Sequence, residues 1–558
     1  MEGDASYFDR FVENSRVLCF EPANPEFGRP NAQGDGSGFF PYNKQVAFSR
    51  TDNSMTELVY GGDAVDKGGS DLYVLRQLLS LHHRHPDRVH LLMGNRDINK
   101  MRIVPEMGAD KSDGNHQHLP YHGGCWWLAG TGLDGDPLAD NKPENGTSKV
   151  PSNSPAERLR WILSKTMGSP DAFELRRGEL AREEMLTNNT SRDISDDEVV
   201  GSFRRACHPQ GEMGQYLSAA KLIVKIGSAL FMHGALPRPD VVDTCQEHSL
   251  WSSVDYAIPW INDPCEEIAS VENWIECLNS FAHSQVGLWR KSILHSDAGD
   301  KSTNQPVGVW STTGGYNTQF DYGNLLQFGM GWLPTKKKNP TIVYSSWLND
   351  GMPQQFYDFR TGDNATPYAR EVSNFFDAGN LQLIVSGHQP HGDHPTPINM
   401  SCKSDDGSLN VRFILPCDTS YSGDTHWIYS GSGEKRNMPG RGNSASGRGD
   451  VAVCEMLIEQ KIEDGSISST ITHGTLSDGT KYESTNLFDV TADPDALLVG
   501  TRLDRNDFIF EGSVRDDSGE EMDWWIKNKL KDGQFLVSAG KGYNVFNSIA
   551  TKKCGRKT

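Results

Sequence analysis

Residues 61–71 read "GGDAVDKGGSD", two aspartates among glycines, set between an apolar run, "MTELVY", and a helix-like run, "LYVLRQLLSLHH". A turn of this kind either caps a helix or holds a metal ion at the carboxyl edge of a sheet. Three further polar motifs stand just past apolar runs: Asn95 and Arg96 in "RVHLLMGNRD", His233 in "KLIVKIGSALFMHGALP" and His388 in "LQLIVSGHQPHGD". Carboxylate and amide oxygens suit hard divalent cations, and imidazole suits Mn, Fe or Zn. Each residue alone has a plain structural reading: Asp63 as a helix cap or Asx-turn, Asn95 as a turn former, His233 as a loop histidine. As an ordered set they point to one site, because strand ends in a sheet sandwich converge in space.

The elements that must position them follow from periodicity. "YFDRFVENS" carries Phe8, Phe11 and Val12 at helical spacing, and a short apolar run follows at 17–20. A Gly-, Pro- and Asn-rich stretch from about 21 to 45 reads as loop. Then come the strand "TELVYGGD", a helix to about His85, a Pro-Asp turn and the strand "RVHLLMGNRD". This alternation predicts a parallel α/β unit. Residues from about 104 to 155 are loop-like. Three helical patterns follow, the first opened by Ser154-Pro155, so that about 105–220 reads as an inserted helical cap. "KLIVKIGSALFM" resumes the sheet, "CEEIASVENWIECLNSF" is an amphipathic helix, and "VRFILPCD" and "DVAVCEMLIE" are strands on either side of a flexible Gly/Ser-rich stretch. The end of the chain, with "DFIFEGSVRD" and "GQFLVSAGKGYNVF", reads as hairpin-rich β structure. These patterns divide the chain into a domain over 1–480 and a β-rich C-terminal extension over 481–558.

Composition bounds the function. The 558 residues are 36% hydrophobic and 23% charged, with a formal net charge of −20. That balance disfavours a bulk nucleic-acid binder, since phosphate contacts need Lys and Arg. No apolar run reaches membrane-spanning length, and "MEGDASYFDR" lacks the layout of a signal peptide. The ten cysteines are scattered without CxxC pairs, which reads as reduced thiols and a cytoplasmic setting.

The ordered set "GGDAVDKGG", "GNRD", "FMHGALP" and "VSGHQPHG" resembles the motifs of calcineurin-like metallophosphoesterases, nearest the phosphoprotein-phosphatase-like branch, over roughly residues 1–420. The resemblance implies a four-layer α/β/β/α sandwich with two divalent metal ions (Mn, Fe, Zn or Mg) at the strand ends. It implies that Asp63 bridges both metals, that Asn95, His233 and His388 complete the second, and that Asp66 orients the residue at position 96. Lys67 stands where many relatives have a phosphate-binding arginine, Arg102 is a second candidate phosphate-binding cation, and His391 falls near a further ligand histidine, one residue along. The implied reaction is hydrolysis of a phosphate ester by a metal-bridging hydroxide, on a phosphorylated small molecule or phosphoprotein, with neither nucleic acid nor membrane as partner.

Two positions depart from the pattern. Arg96 replaces the histidine that serves as general acid. Arginine cannot give up a proton at ordinary pH, but it can stabilise charge on a phosphoryl oxygen; the alternative is a structural ion pair with Asp66. The other departure is the first motif, a strand ending in DxH. "GDGSG" at 34–38 offers Asp35 without a strand, and reads as a loop. "MEGDASYFDRFVENS" resembles the tail of a DxEG variant running into its usual helix, so that Glu2 is the expected contributor to the first metal and the strand before it is missing. From this we expect about one metal per chain and weak activity. Asp418 and Tyr421 in "LPCDTSYSGDTHW" are pocket candidates or parts of a turn. "CWW" at 125–127 and "LWR" at 288–290 are substrate-facing or core aromatics. Two other functions remain open: a catalytically impaired binding protein of the same fold, and hydrolysis of a nucleotide or dinucleotide polyphosphate.

Overall fold

The computed structural model describes residues 2–23, 42–49, 55–107, 154–237, 270–297, 322–329, 341–349, 352–353, 367–389, 391–403, 407–419, 451–510, 514, 522–541 and 544–553. Asp35, Tyr421 and the 125–127 aromatics lie outside the described residues.

The strands, in chain order, are β1 Leu18–Pro22, β2 Lys44–Phe48, β3 Leu58–Tyr60, β4 Val89–Leu91, β5 Ile223–Ile226, β6 Ala229–Met232, β7 Leu348–Asn349, β8 Met352–Pro353, β9 Leu383–Ser386, β10 Ile398–Asn399, β11 Cys402–Lys403, β12 Leu409–Asn410, β13 Phe413–Pro416, β14 Val453–Gln460, β15 Ile467–Thr475, β16 Lys481–Glu483, β17 Phe508–Phe510, β18 Trp525–Lys529, β19 Phe535–Lys541 and β20 Asn544–Lys552. They form several small sheets. The largest has five strands in the order β10-β13-β9-β6-β5, in which β13, β9 and β6 run parallel. β3 and β4 form a separate parallel pair, and a single bridge, Leu92 to Lys221, links the end of β4 to the approach to β5. β14-β15-β16 and β17-β20-β19-β18 are antiparallel sheets.

Helix α1, Ala5–Asn14, starts at Asp4, whose carboxylate accepts the Tyr7 N–H at 2.9 Å, a standard cap. It buries Phe8 and Val12. α2, Asp71–Arg84, follows the Asp63 turn, and the short α3, Asn95–Asn99, follows β4. α4 is Ile103–Met107. The inserted region supplies α5 Pro155–Trp161, α6 Ala172–Asn188, α7 Asp196–Ala206 and α8 Glu212–Ala219. α5 and α7 each open with a Ser-x-x-Glu capping box. These helices do not stand apart from the rest: Leu159, Phe173, Phe203 and Tyr216 share one apolar core with Phe8, Leu78 and Met93. A second core joins Phe231, Val385 and Phe413 of the five-stranded sheet to Trp524, Phe535 and Val537 near the end of the chain.

Trp289 is fully buried and donates its indole N–H to the Met101 carbonyl at 3.0 Å, so it packs in the core. Among the described residues the reading of the cysteines as reduced is corrected at Cys277, which is disulfide-bonded. Cys277 is buried on a helix, and no spacing motif in the sequence marks it. Among the described residues no helix is long and apolar enough to cross a membrane.

Candidate metal centre

Each site residue sits just beyond a strand. Asp63 follows β3, Asn95 follows β4, His233 follows β6 and His388 follows β9. β3 runs parallel to β4, and β6 to β9, so within each pair the turns leave from the same edge. The turns are tightly built. Asp63 and His388 hold left-handed φ values of 53° and 74°, a conformation that costs a non-glycine residue energy and persists only where neighbours enforce it. Gly94 is required by contact: a Cβ there would collide with the Asp63 carboxylate. Asp97 is the enforcing neighbour. Fully buried, its carboxylate accepts the N–H groups of Asp63, Ala64 and Gly94, each at 2.8 Å, and so pins the Asp63 turn to the Asn95 turn.

Asp63, His233 and His388 each offer one ligand atom, all within 4.8 Å of one another, a group that could hold a metal ion. His233 Nδ1 bonds the Gly61 carbonyl at 2.7 Å, which leaves Nε2 turned toward the site. That Nε2 lies 3.4 Å from Asp63 Oδ2 and 3.4 Å from Asn95 Oδ1. Two ligands about 2.1 Å from one ion are themselves about 3.0–3.4 Å apart, so the spacing fits a shared cation. His388 packs edge-on against the His233 ring at 5.3 Å, and its buried Nδ1 has no hydrogen-bond partner.

Without a metal the charges of the cluster pair with one another. Burial alone would raise the Asp63 pKa, but His233, with Arg96 behind it, holds the carboxyl well below its usual range. Burial would lower His233, and the Asp63 carboxylate overrides it, raising the imidazole to about 9. Burial, followed by the neighbouring His233 charge, lowers His388 to about 3, so this ring is neutral and available as a ligand. A third carboxyl joins them. Asp418 lines the same cavity as Glu2, Asp63, His233 and His388, and burial with the Glu2 charge raises it to about 7.

The expected first-metal and phosphate-binding residues are placed differently from one another. Glu2 is buried near the cluster, but its Oε1 accepts Arg96 Nε at 2.8 Å; its Oε2 is buried without a hydrogen bond. Arg96 also donates to Ser169 Oγ at 3.0 Å and to the Met167 carbonyl at 3.3 Å, and lies 3.6 Å from Asp63 Oδ2 and 3.7 Å from Asp66 Oδ2. The closest cation to Asp66 is Lys100, whose Nζ is 2.6 Å from Oδ2. Lys67 reaches the Gly168 carbonyl at 2.6 Å. Arg102 is 1% exposed and does not line the cavity. His391 is not brought into the ligand group: its ring bonds Thr396 Oγ1 at 3.1 Å and its carbonyl accepts Lys527 Nζ at 2.5 Å. Asp97 and Lys100 were missed as contributors, although both stand in "GNRDINK".

No family model matches the chain, and no curated protein matches it. Among solved structures it is similar to a point mutant of a cold-active protein tyrosine phosphatase, at 13% identity and TM-score 0.26 over 77% of this chain and 70% of that one. It is also similar to the cold-active protein-tyrosine phosphatase of a psychrophile, Shewanella sp., at 14% identity and TM-score 0.25 over 76% and 69%. At such TM-scores the likeness carries no argument about fold or activity.

Proposed function

We propose that the protein is a metal-dependent phosphoesterase of the calcineurin-like kind, built on the four-layer sandwich that the motif order implies. The observation that supports this most is the meeting of Asp63, His233 and His388, with Asn95 beside His233, beyond the ends of four separate strands. A divalent ion held there supplies Lewis-acid polarisation of a phosphoryl oxygen and lowers the pKa of water. The residues of the chain do the rest. Asp63, His233 and His388 hold the ion, with Asn95 as an oxygen donor. Asp97 positions Asp63 by fixing its backbone. Arg96 places positive charge 3.6 Å from the bridging candidate Asp63, where it would balance charge on a phosphoryl group. Glu2 and Asp418 are the carboxylates available to a second ion.

One observation favours a second reading, a binding protein with impaired catalysis. The Arg96 guanidinium is already engaged by Glu2, Met167 and Ser169, which is the arrangement of a structural brace. The test is metal content together with turnover. Metal-depleted protein is reloaded with Mn or Zn, analysed for bound metal, and assayed with an aryl phosphate beside Asp63→Asn and His233→Ala. Metal-dependent turnover abolished by either substitution supports the phosphoesterase. Tight metal binding without such turnover supports the second reading, and absence of binding removes both.

A further inference from the structure

The ligand candidate His388 is followed by a segment, residues 391–397, that leads into β10. This segment is bonded to the end of β13. The His391 N–H donates to the Asp418 carbonyl at 3.3 Å, and the Thr396 N–H to the Pro416 carbonyl at 2.9 Å. Asp418 lines the cavity with Asp63 and His388. The segment is also bonded to the far end of the chain. Lys527 of β18, 1% exposed, donates from Nζ to the His391 carbonyl at 2.5 Å and to the His394 carbonyl at 3.0 Å. Trp525 donates its indole N–H to the Pro397 carbonyl at 2.8 Å. Asn528 Nδ2 donates to His394 Nε2 at 2.9 Å. Asp393 Oδ2 accepts the Ser477 N–H at 3.1 Å and Asn547 Nδ2 at 3.3 Å. Gly392, at φ 76°, permits this close approach: a Cβ there would stand 3.1 Å from Val545 Cγ1 and 3.4 Å from Lys527 Nζ.

A buried ammonium is costly unless it is hydrogen-bonded, and buried carbonyls need donors. Lys527 meets both needs together. Its acceptors are two main-chain groups of one short segment, so the contact fixes the path of the backbone over 391–394. His391 then bridges two elements through its main chain, with its carbonyl on Lys527 and its N–H on the Asp418 carbonyl. The imidazole of His391 takes no part in this link. His388 is held on both sides in sequence. Before it, the Gly387 N–H donates to the His233 carbonyl at 2.8 Å, and the anchored segment begins three residues after it. A left-handed backbone such as that of His388 persists only where its surroundings enforce it.

We propose that Lys527 is a positioning residue of the metal centre, a role that rests on the metal-binding reading proposed above. From the end of the chain it fixes the main chain after His388 and, through the His391 N–H, the backbone of Asp418. The sheet that carries it is thereby part of the geometry of the centre. Lys527 touches neither metal nor substrate. It acts on where two ligand-bearing turns stand, as groups that orient metal ligands do.

The test uses the full chain loaded with Co(II), whose visible absorption reports ligand geometry. Lys527→Met keeps an apolar stem and removes the ammonium. Lys527→Gln keeps a donor at shorter reach. Phe508→Leu is the control, because it thins the same core from β17, at the opposite edge of the sheet from β18, where Phe508 packs on Phe535. The measurements are Co(II) affinity, the Co(II) spectrum, and amide exchange at His391 and Thr396 in metal-free protein. Lys527→Met should bind Co(II) about tenfold more weakly or worse, and Phe508→Leu within about twofold of wild type. The spectrum should change and both amides exchange faster in Lys527→Met, with Lys527→Gln between it and wild type and Phe508→Leu unchanged in spectrum. Wild-type affinity and spectrum in Lys527→Met, or an equal loss in Phe508→Leu, would overturn the proposal, since Lys527 would then serve stability alone. If Lys527→Met does not fold, Lys527→Gln decides by the same measurements. Failure of both to fold while Phe508→Leu folds would make Lys527 a strut of the core and overturn the proposal equally. Wild-type protein that takes up no Co(II) would overturn the metal-binding reading and this role with it, a result distinct from a loss confined to the Lys527 variants.

Discussion

Replacing Asp97 tests whether the metal centre depends on the backbone geometry of its turns. The carboxylate is fully buried and accepts three N–H groups, from Asp63 and Gly94 on Oδ2 and from Ala64 on Oδ1. In Asp97→Ala all three donors lose their acceptor in a place water does not reach. A buried unsatisfied donor costs about 1–3 kcal/mol, and the cost falls when neighbours relax, so the sum is about 3–5 kcal/mol. Asp97→Asn is graded: with its oxygen at the Oδ2 position it keeps Asp63 and Gly94 and loses Ala64, for about 1–2 kcal/mol. Asp63 also loses the support for its left-handed backbone, so metal affinity should fall about 10–100-fold in the alanine variant, the usual effect of removing a group that orients a ligand. The measurements are the urea midpoint of metal-free protein, amide exchange at residues 63, 64 and 94, and metal titration. The order wild type, Asn, Ala should hold in all three. An alanine variant within about 0.5 kcal/mol of wild type, the range of an ordinary surface substitution, or an asparagine variant as damaged as the alanine one, would refute the idea that Asp97 organises the site.

Metal uptake should strengthen with pH: the unliganded His233 holds its proton up to about 9, an ion must displace that proton, and affinity should rise about tenfold per pH unit between 7 and 9, measured against a chelating dye; a flat profile would count against His233 as a ligand. The same raised pKa stabilises the metal-free fold fully below the unfolded value near 6.5, and that contribution is lost as pH rises through about 9. Arg96→Ala should lower stability by about 3–5 kcal/mol, the cost of leaving a buried ionic partner alone, and a variant that keeps its stability but loses kcat would instead place Arg96 in the chemistry. His388→Ala should abolish tight metal binding, whereas His391→Ala should leave metal affinity within about twofold and reduce stability; equal loss of metal in both would return His391 to the ligand set.

The positions of the ligand candidates were legible because two local signals coincide there. An apolar run such as "ELVY" or "LIVS" marks a buried strand, and a glycine beside a polar residue marks the turn that ends it. Nothing comparable announces where a long cation goes. Lys67 and Arg96 stand at positions that suggested phosphate, yet both reach the turn at 167–169, about seventy or a hundred residues away in the chain. The glycine of that turn has φ 62° and its carbonyl is the acceptor for Lys67, so the contact rests on a backbone conformation far from the motif. Lys100 shows the converse. It is buried against Asp66 at 2.6 Å, and a lysine in the sequence gives no sign that it will be desolvated rather than exposed. The role of Asp97 was hidden in a different way, because its partners are backbone N–H groups, which every residue carries and no residue type encodes. Among the described residues β3 pairs only with β4 and β14 only with β15, and such pairing lies furthest from local pattern. Each strand reads correctly by itself, but whether an edge is covered depends on a third segment, and three-body pairing over some four hundred residues leaves no periodicity to read. The cluster of Asp63, His233 and His388 was therefore visible at its candidate ligands and invisible at its supports, since the candidates are marked by residue type at a strand end while supports are fixed by what the folded chain brings behind them.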